Sequence, residues 1–162
     1  MDKKTNLQYL DLEFSKLEKA EMITYLNRLL TSYQIYVHKT RTFHWNVIGQ
    51  DHFDLRQGFK KLYRRALVHM DDIAERIRLF NQKTIEDWNE IRETSEIREA
   101  PAGLTGFEMV KAIVSDLRIL LNLSTDSIEK AEELLDYGTE ILLKKHMREL
   151  EQDYLLLTSW LR

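Results

Sequence analysis

An all-α four-helix bundle, with a short extra helix in the crossover between its second and third helices, is the fold this sequence predicts. Three observations carry it. Apolar residues recur at alternating spacings of three and four over four long stretches, the mark of amphipathic helices. One proline and five glycines in 162 residues leave too little punctuation for a many-stranded sheet. Two of the connections between the stretches are short and one is long, which is the connectivity of a bundle with a single crossover.

Residues 1–14 read as a short polar segment ahead of a single domain over residues 15–162. Ser15 with Glu18 three residues later opens the first helix as a capping box. Met22, Leu26, Leu29, Tyr33, Tyr36, Thr40, Phe43 and Val47 then make one apolar face. Leu30, Val37 and His44 run beside it, which puts His44 at its edge. Gly49 ends that helix, and Asp51 is the N-cap expected for the second. The second core row is Phe59, Leu62, Ala66, Met70, Ile73, Ile77 and Phe80. Thr84 with Asp87 opens the short helix, through Trp88 and Ile91. Residues 93–104, with Pro101 and Gly103, read as a loop crossing the molecule.

Thr105 with Glu108 is a second capping box. The face of the third long helix runs Phe107, Val110, Val114, Leu117, Leu121, Ser124, Ile128, Ala131, Leu135, and Gly138 is expected to take the left-handed position that stops it. Leu143, Met147, Leu150, Tyr154, Leu157 and Leu161 mark the fourth.

Hydrophobic residues at 43% and charged residues at 31% describe a packed core under a solvated surface. The absence of cysteine removes thiolate metal sites, thiol nucleophiles and disulfides together, and fits a cytoplasmic protein. The opening MDKKTNLQYLDLEF lacks the apolar region of a signal peptide, and no apolar run reaches the length of a membrane span. A net charge of −3 argues against a generally basic nucleic-acid binder.

The residues that point to chemistry lie on the first two helices. His44 and Trp45 close the first, while Asp71 and Glu75 stand four apart on one face of the second. A histidine with stacked carboxylates suits a borderline or hard metal, iron or zinc. At 100° per residue, Arg56, Lys60, Asp71 and Glu75 fall at roughly 0°, 40°, 60° and 100° around the second helix, one stripe beside its core row. Mixed charge at helical spacing also describes a solvated face. Spacing alone leaves both readings open. His52 falls off the stripe, and His38, His69 and His146 have no acid partner at ligand spacing, so they read as structural or surface residues.

Several runs together resemble the Dps family, the ferritin-like miniferritins known as DNA-binding proteins from starved cells. They are His44-Trp45-Asn46-Val47 followed by Gly49, and Met70-Asp71-Asp72-Ile73-Ala74-Glu75-Arg76-Ile77. Ala100-Pro101-Ala102 with Leu104, and the closing Arg148-Glu149-Leu150-Glu151 with Trp160, agree with them. The likeness covers roughly residues 15 to 162 in order. It implies a ferritin-like bundle assembled as a hollow homododecamer that oxidises ferrous iron, stores the mineral and protects against oxidative stress. It also implies a ferroxidase centre shared across a two-fold axis, with His44 from one subunit and Asp71 and Glu75 from its partner. Trp45 matches the aromatic beside that centre.

The chain departs from the family pattern where a second histidine and an acid stand twelve and sixteen residues after the first. Here those positions hold Arg56 and Lys60. Neither side chain ligates a metal while protonated. The expectation is one retained iron position per site and a weakened ferroxidase. Its rival is a structural shell whose former centre is a metal-free salt-bridged network of Arg56, Lys60, Asp71 and Glu75. A mononuclear zinc site is a third reading. Asp126, Glu129, Glu132, Glu133 and Asp136 are the candidates for an acid-lined pore. Only Lys3 and Lys4 answer to the Lys-rich tail that binds DNA in the family, and a shell of negative subunits repels phosphate, so DNA binding is expected to be weak or absent.

Overall fold

Two helical hairpins close on one apolar core in the computed structural model, which describes residues 14–162. In chain order the elements are α1 (Lys16–Asn46), α2 (His52–Leu79), α3 (Trp88–Thr94), α4 (Gly106–Glu133) and α5 (Tyr137–Trp160), with no strand among the described residues. The segment expected over residues 1–14, and with it Lys3 and Lys4, lies outside the described residues except for Phe14, whose ring stands 5.7 Å from Phe80.

Both capping boxes form. Ser15 Oγ accepts from the Glu18 amide at 3.2 Å while the Glu18 carboxylate accepts from the Ser15 amide at 2.7 Å. Thr105 and Glu108 repeat the exchange at 3.3 and 2.7 Å. Each satisfies amides that the first turn of a helix leaves orphaned. All eight residues of the first predicted face are buried. Thr40 tolerates its place there because its hydroxyl donates to the Tyr36 carbonyl at 2.7 Å.

Four local expectations need correction. Asp51 precedes α2 but makes no side-chain cap; the turn is closed instead by His52, whose Nδ1 donates to the Val47 carbonyl at 2.6 Å. The cap of α3 is Asp87 alone, accepting from the amides of Asn89 and Glu90 at 3.0 Å. The left-handed residue after α4 is Leu135 (φ 57°), not Gly138. Gly138 lies inside α5, where the Arg76 guanidinium packs against it: an added Cβ would stand 2.8 Å from that group and make it shift. Phe107 and Leu135 are exposed rather than in the core: Phe107 lies in the first turn of α4, with the Trp160 ring 6.4 Å from its own, and Leu135 lies in the turn after that helix.

α1 packs along α2, α4 along α5, and α1 against α4 joins the hairpins, while α2 and α5 meet over a narrower seam. A buried ion pair, Lys39 Nζ to Asp116 at 2.7 Å, crosses from α1 to α4. Burial pushes the Asp116 carboxyl up to about 6, outweighing the nearby ammonium.

Candidate metal centre

His44 sits in the last turn of α1, 7% exposed, with its ring turned toward the start of α2. Its Nδ1 lies 2.8 Å from the Arg56 carbonyl oxygen. A carbonyl only accepts, so Nδ1 carries the proton and Nε2 is left with a free lone pair. A second hydrogen bond from the other ring nitrogen is how ligand histidines are oriented. The contact is reciprocal, for the Arg56 guanidinium donates back to the His44 carbonyl at 3.4 Å. That carbonyl is one of those the end of α1 leaves without a helical partner. The Tyr63 ring flanks the imidazole at 5.7 Å. Trp45, 57% exposed, carries the Arg41 guanidinium over its face at 5.3 Å.

Asp71 and Glu75 are exposed on α2, one turn apart, and neither has a hydrogen bond or ion pair among the described residues. His44 meets α2 at residue 56, and Asp71 lies about 22 Å further along the axis at 1.5 Å per residue. One chain therefore does not bring the three together. Among the described residues no group of three histidine or acid side chains gathers into a metal-holding cluster. A site using both halves takes them from two chains.

The sequence reading missed a second polar cluster on the seam between α2 and α5. His69 and His146, each 1% exposed, stack with ring centroids 4.0 Å apart and 19° between planes. Each reaches an acid on the opposite helix: His69 Nε2 to Glu149 at 2.7 Å, His146 Nε2 to Asp72 at 2.9 Å. Both find acid partners across the seam, which spacing along either helix did not show, and the structural reading of both stands. Tyr33 joins from α1, its hydroxyl 3.2 Å from His69 Nδ1. Arg65 donates to Asp153 at 2.6 Å and to the Glu149 carbonyl at 3.2 Å. Burial pushes the His69 imidazole down to about 4, and burial lowers His146 as well, despite its hydrogen bond to Asp72. For Glu149 burial pushes upward, but the hydrogen bond from His69 and the charges around it hold the carboxyl below its usual range. The available signal was a repeated histidine with an acid three residues later, His69/Asp72 and His146/Glu149, on two helices. Antiparallel packing crosses the pairs. The carboxylates engage both Nε2 atoms, which leaves the lone pairs on Nδ1: that of His69 faces the Tyr33 hydroxyl, and that of His146 is buried with no hydrogen-bond partner among the described residues. The cluster reads as a clasp between hairpins.

His38 is exposed, as a surface residue is, and His52 closes the α1–α2 turn. Of the pore candidates, Asp126 and Glu129 are exposed, while Glu132 and Glu133 pair with Lys144 at 2.8 Å and Lys130 at 2.6 Å. Asp136 is not a pore acid. It is buried, caps α5 through the Thr139 amide at 3.1 Å, and pairs with Arg76.

Comparison with known proteins adds three findings. A ferritin-like domain model matches residues 23–162. The chain is 33% identical over 141 residues to "DNA protection during starvation protein 2" of Bacillus anthracis, covering 87% of this chain and 97% of that one. It superposes on the crystal structure of the Dps protein from Vibrio cholerae O1 with a TM-score of 0.89 and 28% identity, over 93% of this chain and 95% of the other. The structure of a Dps protein from Bacillus brevis gives 0.87 and 28%, over 92% and 100%. The Vibrio protein is described as one of the ferritin-like diiron-carboxylate proteins. None of the described helices is long and apolar enough to cross a membrane.

Proposed function

The chain belongs to the Dps family of ferritin-like proteins, and from that premise we propose that its single domain over residues 15–162 builds a cytoplasmic homododecameric shell that takes up ferrous iron, oxidises it and stores the product, protecting the cell under oxidative stress. The family brings iron storage and stress protection. The particular site is this chain's own: His44 Nε2 from one subunit, with the Asp71 and Glu75 carboxylates from its two-fold partner.

One observation carries the reading. The Arg56 carbonyl accepts from His44 Nδ1, so the lone pair of the neutral ring lies on Nε2, where a metal can take it. Asp71 and Glu75 support it, since among the described residues they stand unpaired while Glu132, Glu133, Glu149 and Asp153 each have a cationic partner. Hard carboxylate oxygens with one imidazole suit ferrous and ferric iron. Trp45 lies next to the liganding histidine and serves as the aromatic beside the site.

Arg56 and Lys60 leave the second metal position without its ligands. A single ferrous ion supplies one electron where peroxide reduction to water takes two, so oxidation is slow. Phosphate-rich DNA gains little from a negatively charged shell, and DNA affinity is weak or absent. A second reading, the metal-free shell, has its own observation: the α2 stripe is cationic at Arg56 and Lys60 and acidic at Asp71 and Glu75. Two copies related by a two-fold axis bring opposite charges together. Zinc bound in place of iron is the third.

Anaerobic ferrous titration of metal-free protein, with Asp71→Ala as control, separates them. Saturable binding near one iron per subunit that the variant loses supports the first reading. Binding no greater than the variant's, with assembly lost on Arg56→Ala, supports the second. Zinc retained against excess ferrous iron supports the third.

A further inference from the structure

We propose that Tyr33, hydrogen-bonded through His69 to Glu149, is an internal one-electron donor that intercepts oxidising equivalents inside the bundle. The directions of the hydrogen bonds make the case. Glu149 is ionised and can only accept, so His69 holds its proton on Nε2, 2.7 Å from the carboxylate. His69 Nδ1 then bears the lone pair, and the Tyr33 hydroxyl donates to it at 3.2 Å. The three groups form one directed chain, from a phenol on α1, through an imidazole on α2, to a carboxylate on α5.

The step balances without a stranded charge. Tyr33 gives up one electron as its phenolic proton moves to His69 Nδ1, while the Nε2 proton moves to Glu149. What remains is a neutral phenoxyl radical, a neutral imidazole in its other tautomer, and a protonated carboxyl. Glu149 is a third exposed and hands the proton to water. Tyr33 itself is fully buried, and burial pushes its pKa well above the ordinary phenol value, so simple ionisation is closed to it. A coupled acceptor opens oxidation instead. Tyr154 offers a contrast, since its hydroxyl accepts from the Arg118 guanidinium at 3.0 Å, a group that cannot take a proton.

Position gives the donor its use. His69 precedes Asp71 by two residues, about 3 Å along the axis of α2 and on the opposite side of that helix. A lone ferrous ion there reduces hydrogen peroxide by one electron, giving ferric iron, hydroxide and hydroxyl radical. An electron from Tyr33 and one proton convert that radical to water. This physiological oxidant rests on the iron reading above; the donor chain itself does not.

The test therefore oxidises the protein in two ways. A flash-generated ruthenium tris-bipyridine oxidant acts on metal-free, full-length protein, and samples are frozen for electron paramagnetic resonance. Protein grown with ring-deuterated tyrosine identifies a phenoxyl signal by its narrowing. The expected result is a tyrosyl signal lost in Tyr33→Phe and sharply reduced in Glu149→Gln, whose amide does not take up the proton. Circular dichroism melting checks that both variants are folded. A signal of unchanged size in Tyr33→Phe, or one carried by Trp45 and abolished in Trp45→Phe, overturns the proposal. Ferrous iron with peroxide is the second oxidant. A signal there that Asp71→Ala loses, while its flash signal persists, joins the donor to the iron site. A flash signal without any iron-dependent signal leaves the donor standing and sinks the iron reading alone.

Discussion

α2 presents two polar faces that treat charge in opposite ways. Toward α5, Arg65, His69, Asp72 and Arg76 are all engaged, with Asp153, Glu149, His146 and Asp136 as partners. On the outer stripe Asp71 and Glu75 have no partner among the described residues, and Arg56 reaches only a backbone carbonyl. Asp71 and Asp72 are neighbours in sequence, yet a turn of about 100° sends one to solvent and the other to a buried imidazole. Paired polar groups hold a fold together; unpaired, exposed ones remain free to take a ligand. The difference gives the seam a role in stability and leaves the stripe as the place where the proposed site would lie.

Substitutions on the two faces should therefore separate cleanly. His69→Ala is the largest stability effect expected, about 2–4 kcal/mol by urea unfolding, since it opens a cavity and strands Tyr33 and Glu149. Asp71→Ala should shift the same unfolding curve by no more than about 0.5 kcal/mol, as exposed residues do, while abolishing saturable ferrous binding. A large destabilisation by Asp71→Ala would break the comparison, because it would place that carboxylate in a structural pairing.

Acid sharpens it further. His69 and His146 take up protons less readily folded than unfolded, so the unfolded chain binds more protons below pH 6.5. Their contribution is fully present above that pH and is lost as pH falls through about 4. Asp116 acts in the opposite sense, because its folded carboxyl holds a proton up to about 6 and so favours the fold on acidification. Stability measured from pH 7 to pH 4 should fall less steeply in His69→Gln than in the parent chain and more steeply in Asp116→Asn. Equal slopes in all three would contradict the burial argument. A cap away from both faces touches stability alone: Thr105→Ala should cost about 1 kcal/mol and leave ferrous binding unchanged.

What the sequence made legible was whatever lies close along the chain. The capping boxes at Ser15 and Thr105 join residues three apart, and the core faces follow from helical periodicity, so both are written locally. The His69–Glu149 and His146–Asp72 pairs join residues 80 and 74 apart. No spacing rule reaches that far, although the repeated histidine-to-acid interval was visible on each helix. Gly138 misled for a similar reason, since Arg76, whose guanidinium packs against that glycine, comes from α2. Half of the candidate site was legible too: His44, Asp71 and Glu75 could be named, but the proton on His44 Nδ1 depends on the Arg56 backbone, to which sequence assigns no role.

The central claim is that two chains share each metal site, and subunit complementation tests it most directly. His44→Ala and Asp71→Ala are each expected to lose saturable ferrous binding as homo-oligomers. Unfolded together, mixed and reassembled, they form hybrid two-fold interfaces in which an intact His44 faces an intact Asp71 and Glu75. Random pairing should restore about a quarter of the sites seen in the parent protein. Recovery of binding in the mixture is the result expected. Co-assembled subunits that bind no more iron than either variant alone would contradict a shared site.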